Sequence, residues 1–308
     1  MHSGSVALLG RPNAGKSTLV NALVGDKVAI VSAQPQTTRH RITGVLTEER
    51  GQMVLFDLPG VHRPLHRLNA QMMHVLRETL TEVDVIVQLF DAAQAPGAGE
   101  RFVVELLASI EQPVVLVPNK VDLPHAERHI GQRIAFYTER HAYVSVQPIS
   151  ALTGLGVPEL KAKLFSLLPD GEPWLDPELT TTQSENFFIS ELIREAMLTR
   201  VSDELPFQTA VHLRHREEEE SGRGALLRLW VDLVVEREGQ KGILVGAGGQ
   251  TVKAIGTAAR LQIERLLGAR VYLDLQVKVH AGWRDDRRLL AEISSSEALL
   301  APADSIED

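Results

Sequence analysis

The sequence predicts an α/β unit built on a doubly wound, largely parallel sheet, followed by a smaller α+β unit. Three observations carry this. Apolar runs of strand length alternate with helix-period segments through the first half. A stretch without periodicity, LPDGEPWLDPELTTTQ, then interrupts the pattern with Pro169, Pro173 and Pro177. Beyond it the order becomes helix, strand, strand, short helix, helix, strand. The expected boundaries are 1–168 for the first unit, 169–183 for a linker and 184–293 for the second unit. An acidic tail at 294–308, rich in small residues, is expected to be disordered. At 308 residues the chain is long for one domain and comfortable for two.

In order, Val6–Leu9 reads as a short apolar strand and Thr18–Leu23 as part of a helix. Met53–Phe56, Val85–Phe90, Val114–Val117 and Val144–Pro148 are further apolar runs of strand length. Ala70–Leu80 and Glu100–Ile110 have the helical period. After the linker, Glu185–Val201 is helical, with Phe188, Leu192, Ile193 and Met197 near one face. Thr209–Leu213 reads as a strand, and Leu227, Leu229, Val231, Leu233 and Val235 alternate as a second. The charged stretch REEEESGRG between them is expected to be an exposed hairpin loop. Thr251–Leu267 places Val252, Ile255, Ala259, Ile263 and Leu266 on one stripe. From Val271 to Val279 apolar residues alternate strictly with Tyr272, Asp274, Gln276 and Lys278.

The bulk numbers exclude some classes. No apolar run approaches the roughly 20 residues needed to span a bilayer. The start has no basic n-region, so no secretory signal is expected. There is no cysteine, which excludes disulfides and thiolate metal sites and fits a reducing compartment. The net charge of −8 speaks against nucleic acid only if the chain is taken as one object. Between Arg237 and Arg288, ten Lys/Arg face five Asp/Glu, so this window is locally basic on an acidic protein.

The chemistry begins at GRPNAGKST, Gly10–Thr18. It fits GxxxxGK[ST] and lies between a predicted strand and a predicted helix, the context that motif requires. Gly10, Asn13, Ala14, Gly15 and Thr18 would line the phosphates with main-chain N–H groups. Lys16 would reach the β- and γ-phosphates, and Ser17 would ligate Mg²⁺. DLPG follows the next apolar strand: Asp57 can hold Mg²⁺ through water, and Gly60 can offer its N–H to the γ-phosphate. In NKVD, with Asn119, Lys120 and Asp122, the aspartate can accept two hydrogens from a guanine edge, a pair that adenine cannot supply. In SAL, Ser150, Ala151 and Leu152 could offer a main-chain N–H to the guanine oxygen. These elements, each after a strand, resemble the translation-factor-related P-loop GTPases. The resemblance implies binding of GTP and GDP with Mg²⁺, and hydrolysis of GTP.

The segment AQPQTTRHR before Asp57 offers a threonine to close on Mg²⁺; Thr38 is the expected residue and Thr37 the alternative. Ras-like enzymes place a glutamine after the DxxG glycine to orient water, and here Val61 stands there. A resemblance to potassium-activated GTPases implies that Asn13 ligates K⁺ beside the phosphates, with Lys16, Thr38 and Gly60 completing the catalytic set.

A second glycine loop, Gly246, Ala247, Gly248 and Gly249, fits GxxG between a short helix and an amphipathic one. That setting resembles a bacterial-type (type II) KH domain, whose GxxG loop clamps the backbone of about four nucleotides. Lys241, Lys253 and Arg260 are the candidate phosphate contacts, because the two residues between the outer glycines are neutral. The whole combination, from GRPNAGKS through TTRHR to TTQSENFFISELIRE and the KH unit, resembles the Era family of bacterial GTPases. The resemblance implies binding to the small (30S) ribosomal subunit near the 3′ end of its rRNA and a role in subunit maturation. It further implies a GTP-switched affinity for RNA and peripheral contact at the inner face of the cell membrane; a cytoplasmic monomer without a DNA partner is expected. His62, His66 and His74 do not have zinc spacing. Trp174, Trp230 and Trp283 are weighed as base-stacking residues, with packing as the more ordinary use.

Overall fold

The computed structural model describes residues 1–32, 34, 37–38, 41–61, 67–201, 205–221 and 224–295. The chain divides into two compact units, Met1–Thr182 and Gln183–Asp308. The tail expected to be disordered lies almost wholly outside the described residues.

In the first unit the order is β1 (His2–Gly10), α1 (Lys16–Val24), β2 (Ile42–Glu48), β3 (Gly51–Asp57), α2 (Arg67–Glu82), β4 (Val85–Asp91), α3 (Ala98–Leu106), β5 (Val114–Asn119), α4 (Ile130–Thr138), β6 (Ser145–Val146) and α5 (Val157–Phe165). The sheet runs β2-β3-β1-β4-β5-β6. Pairing is parallel throughout except for the β2–β3 hairpin. Both faces of the central strands are covered, which is why they read as unbroken apolar runs. Val6 to Leu9 and Val85 to Val87 are fully buried. Ala7, Leu9 and Ile86 pack with Leu76 and Leu80 of α2 and Val103 of α3. Each such leucine contributes roughly 1.5–3 kcal/mol by burial. α1 and α5 pack against β1 and against each other.

Two elements depart from expectation. β2 has no counterpart in the sequence reading, because Gly44 breaks its apolar run. That glycine is a packing device: an added Cβ would lie 3.0 Å from Val20 and Val24 of α1. Of the strand expected at 144–148, only Ser145–Val146 pair as β6. The segment expected to be a linker is tied to the first unit. Gln52 Oε1 accepts from the Trp174 and Leu175 amides at 2.8 and 2.9 Å, and Thr180 O accepts from Val45 N at 2.8 Å.

The second unit comprises α6 (Glu185–Leu198), β7 (Ala210–Ser221), β8 (Gly224–Val235), α7 (Glu238–Val245), α8 (Gln250–Leu267), β9 (Arg270–Val279) and α9 (Arg287–Ser295). Ser184 caps α6 by accepting the Phe187 amide at 3.1 Å. β7 and β8 are antiparallel, and β8 and β9 are parallel. Ile255, Ala259 and Ile263 of α8 and Ile193 and Met197 of α6 share one core with Leu229, Val231 and Leu233 of β8. Leu266, assigned to the same stripe, is 45% exposed; the stripe continues from Ile263 to Leu267, one helical turn on, which packs against the core instead. The acidic stretch is corrected: Arg216–Glu220 are not loop but continue β7, paired opposite Leu229–Ala225. A bulge between Leu213 and His215 shifts the register, so the alternation that marks the first half of β7 does not carry through.

Candidate nucleotide site and RNA-facing loop

β1 lies between β3 and β4, so successive connections leave its C-terminal end in opposite directions. That end is where an open α/β sheet leaves a ligand crevice. The turn from β1 into α1 needs two left-handed residues, Asn13 (φ 63°) and Gly15 (φ 97°). At Gly15 a side chain is excluded twice over: by φ, and because a Cβ would lie 2.1 Å from Asn119 Nδ2. Lys16 starts α1 and is buried, its Nζ donating to the Gly10 and Arg11 carbonyls at 3.3 and 3.2 Å. Burial pushes its pKa down, and the Asp57 carboxylate pulls it partly back. A buried ammonium facing a cavity favours an incoming polyanion.

The three expected Mg²⁺ contacts converge although they come from three separate segments. Ser17 Oγ donates to Asp57 Oδ2 at 2.5 Å, Thr38 Oγ1 lies 3.0 Å from Ser17 Oγ, and Thr38 Oγ1 donates to Asp57 Oδ2 at 3.2 Å. Two hydroxyls and a carboxylate are hard oxygen donors, a set that fits Mg²⁺. Thr37 is committed elsewhere: its hydroxyl donates to the Gln34 carbonyl at 2.7 Å. Between the two threonines, geometry therefore selects Thr38. A cavity of about 50 Å³ is lined by Asn13, Gly15, Lys16, Ser17, Thr38 and Gly60, with Thr18 and Thr37; of the expected phosphate contacts, Gly10 and Ala14 are not in its lining. Gly60 lies against Pro12, where a Cβ would approach the main chain at 2.7 Å.

Val61 sits in the apolar cluster with Leu9, Leu58 and Leu76, 2% exposed, and its amide donates to the Gly10 carbonyl at 3.1 Å. It is a core residue that pins the DxxG turn to the phosphate loop. No solvent-facing position is available to it for orienting water.

The guanine-side motifs are organised by one side chain. Asn119, 2% exposed, donates from Nδ2 to the Ala14 carbonyl at 2.8 Å. Its Oδ1 accepts the Lys120 amide at 2.8 Å and the Ala151 amide at 2.9 Å. Assigned from sequence as a nucleotide contact, Asn119 is a strut joining NKVD, the phosphate loop and the SAL segment. Lys120 adopts φ 66° and donates to Asp91 Oδ2 at 2.7 Å. Asp122 is exposed at the start of the following turn. Ser150 is buried and Leu152 is 80% exposed. Sequence reasoning missed Asp91; its signal was an aspartate ending the β4 strand, as Asp57 ends β3. Among the described residues no cluster of His, Asp and Glu with metal-binding geometry occurs. His62 and His66 lie outside the described residues, and His74 is exposed beside Glu78 at 3.1 Å.

In the second unit the GxxG loop is a short turn, Ala247–Gly249, between α7 and α8. Gly246, Gly248 and Gly249 all have positive φ (72°, 59° and 79°). At Gly246 a Cβ would meet Thr251 Oγ1 at 2.2 Å, but at Gly248 and Gly249 it would meet nothing within 4 Å. Internal packing therefore does not demand the last two glycines; they leave open space outside an exposed loop. Lys241 on α7 and Lys253 in the first turn of α8 flank it, and Lys253 is exposed. Arg260 is about 10 Å farther along α8. Its guanidinium is engaged by Glu264 at 2.9 Å, so it stands apart from the loop. Trp283 is buried, with Nε1 donating to Gln208 O at 3.0 Å, and cannot stack a base. Trp230 lies 5.1 Å from the His215 ring, and Trp174 is 57% exposed.

Comparison with known proteins agrees with both units. Residues 5–120 match the family described as 50S ribosome-binding GTPase, and residues 232–284 match the KH domain family. GTPase Era of Heliobacterium modesticaldum is 40% identical over 299 residues, 97% of this chain and 99% of that protein. GTPase Era of Geobacter metallireducens is 41% identical over 94% of this chain and 97% of its own. A crystal structure of Era in complex with MgGDPNP and nucleotides 1506–1542 of 16S ribosomal RNA superposes with TM-score 0.89 at 31% identity, covering 95% of this chain and 98% of that one. A point variant of Aquifex aeolicus Era bound to GDP.AlF4⁻ gives TM-score 0.88 at 32% identity, with 95% and 99% covered. With both units, their order and nearly the full length matched, the chain belongs to the Era family of GTPases.

Proposed function

We propose that this GTPase is a GTP-timed switch that binds small-subunit rRNA near its 3′ end and assists maturation of the 30S subunit. One observation carries the RNA half: an exposed GxxG turn whose Gly248 and Gly249 leave open space for a phosphate backbone, on a type II KH fold. Its likeness over the full chain to a structure holding 16S rRNA nucleotides supports the small subunit. The family named for 50S binding is matched by residues 5–120 alone.

In the first unit, Lys16 and the main-chain N–H groups of Asn13 to Thr18 bind the phosphates. Mg²⁺ held by Ser17, Thr38 and, through water, Asp57 supplies charge neutralisation at the β- and γ-phosphates. Asp122 reads the guanine edge, with the Ala151 and Leu152 amides beside it. Because Val61 cannot orient water, charge stabilisation must come from elsewhere. K⁺ beside Asn13 is our assignment, and equal hydrolysis rates in KCl and NaCl of matched ionic strength would sink it. Thr38 bridges the segment before β2 to Asp57, so loss of the γ-phosphate releases that segment and changes what the protein binds. We further assign the protein to the cytoplasm as a monomer without DNA affinity, in peripheral contact with the inner membrane face. No helix among the described residues is long and apolar enough to cross a membrane.

The test is binding of single-stranded RNA from the 3′ end of small-subunit rRNA across a salt series. Wild type and Gly248→Asp are each loaded with GDP or a non-hydrolysable GTP analogue. Asp tolerates positive φ better than most residues, and its carboxylate points into open space, so the fold survives while the phosphate is repelled. A clamp on about four phosphates predicts a log–log salt slope of roughly −3. Nucleotide-dependent binding that Gly248→Asp weakens supports the switch. Equal binding by both proteins, or by neither, removes the RNA role and leaves the GTPase intact.

A further inference from the structure

The phosphate cradle is the smaller of two cavities that meet at the phosphate loop. A cavity of about 270 Å³ lies behind the loop, bounded by Arg11–Ala14, the end of β4, the first turns of α3 and Tyr137 of α4. It shares Pro12 and Asn13 with the phosphate cavity, so the loop itself is the partition between them. None of Ser17, Thr38, Asp57, Asn119, Lys120, Asp122 and Ser150–Leu152 lines it, although Asp91, the partner of Lys120, does.

Every charged group on its wall is already compensated. Arg11 pairs with Glu100 at 2.9 Å, and the other Glu100 oxygen accepts the Gly97 amide at 2.8 Å. Asp91 accepts from Lys120 at 2.7 Å, from Gln94 at 3.1 Å and from the Ala93 amide at 2.8 Å. Two buried neutral groups are not. Gln88 and Tyr137 are each 1% exposed and each lines the cavity. Gln88 Oε1 accepts the Tyr143 hydroxyl at 2.5 Å, but its Nε2 meets no acceptor among the described residues. The Tyr137 ring stacks on Phe90 at 4.4 Å, and no hydrogen bond from its hydroxyl to another described residue is seen at the cavity wall it lines. Burial raises the Tyr137 pKa, so the hydroxyl stays a neutral donor across ordinary pH. Neither donor is sealed from solvent: both residues line the cavity, so its contents, water or a ligand, supply the acceptors. The space holds far more than one water of about 30 Å³ and approaches the roughly 300 Å³ at which small-molecule sites begin. Leu89, Phe90 and Val103 supply the apolar remainder of the wall.

We propose that this cavity is a second ligand site, taking a neutral planar heterocycle of nucleobase size whose lone pairs accept from Gln88 Nε2 and the Tyr137 hydroxyl. A charged ligand would have no free counter-charge there. The occupant braces the phosphate loop from behind, and through Asp91 it also braces Lys120 of NKVD. It therefore slows nucleotide release, and by linkage bound nucleotide strengthens its hold. That coupling rests on the nucleotide-binding reading; the cavity's occupancy does not.

The probes are adenine and uracil, titrated into the full chain saturated with GDP and Mg²⁺, which blocks the nucleotide site. Ligand-detected NMR and calorimetry read binding. Gln88→Leu and Tyr137→Phe remove one donor each, and Val103→Leu adds bulk without touching either donor. Thermal unfolding and GDP affinity without probe check that each variant is folded. At least one base binds wild type, each variant weakens it tenfold or more, and the bound base slows GDP release at least twofold. If neither base binds, or if a base binds the variants as well as wild type, the site is refuted. Binding with unchanged GDP release refutes the coupling. If the chain fails to hold GDP, the nucleotide reading falls, and the same titration on the nucleotide-free chain still decides the cavity.

Discussion

Replacing Asn119 by alanine removes three hydrogen bonds, two of which tie together segments far apart in sequence. The Ala14 carbonyl and the Ala151 amide lie in buried contacts with Asn119, and the Lys120 amide in a partly buried one. A buried group left unpaired costs about 1–3 kcal/mol. With two groups stranded and the third reaching water, Asn119→Ala should destabilise the first unit by about 2–5 kcal/mol. At about 2–4 °C per kcal/mol for a unit of this size, the melting temperature falls by roughly 5–15 °C. Because the phosphate loop and the guanine-side segments lose their common anchor, GDP affinity falls at least tenfold, although no nucleotide contact need be deleted. Asn119→Asp separates the parts. It keeps an acceptor for both amides but turns a carboxylate oxygen toward the Ala14 carbonyl, so the damage concentrates on the phosphate loop. The assays are thermal unfolding with and without GDP, and calorimetric titration of GDP. A melting temperature within 2 °C of wild type and a Kd within twofold would refute the strut.

Val61→Gln, the change that restores the residue Ras-like enzymes carry, should not accelerate hydrolysis. It buries an amide among Leu9, Leu58 and Leu76 and costs about 1–3 kcal/mol, measured by denaturant unfolding beside single-turnover hydrolysis. Thr38→Ala should weaken the Mg²⁺ dependence of GTP-analogue binding about tenfold or more, whereas Thr37→Ala, which loses a bond to Gln34 O, should leave it within about threefold. A larger effect from Thr37→Ala would reverse the assignment. In the second unit, burial pushes the Glu236 carboxyl up, but the Gly282 amide at 2.7 Å and the Arg284 guanidinium at 3.1 Å overcome this and hold its pKa below the ordinary glutamate range. A depressed pKa adds stability above the unfolded-state value that is lost as pH falls through the folded one. Glu236→Gln should therefore cost about 1–2 kcal/mol near neutral pH and progressively less below about pH 4.5, as urea unfolding at several pH values would show. A pH-independent difference would refute this.

The nucleotide motifs were legible because their chemistry is written in short, contiguous runs. A phosphate loop needs glycines, a lysine and a hydroxyl at fixed spacing, and each run sits at the end of a strand that apolar composition alone reveals. The central strands were readable for the same reason: both faces are buried, so Val6–Leu9 carries no polar interruption and Val85–Phe90 only the buried Gln88. β2 was hidden because Gly44 looks like a strand breaker until α1 is seen against it. The second half of β7 was hidden because its pairing to β8 satisfies the backbone while the glutamates remain exposed.

The sequence by itself determined the order of the two units, the guanine-nucleotide chemistry and the position of an exposed GxxG loop. These depend on local backbone conformation and on residue type at fixed spacing. Only the tertiary structure set Thr38 rather than Thr37 against Ser17 and Asp57, gave Asn119 a strut role that its motif does not announce, placed Val61 in the core and brought Gln88 and Tyr137 to one cavity. Those roles depend on which side chains from distant segments meet. No periodicity or motif encodes such a meeting, because it is fixed by packing several elements against one sheet.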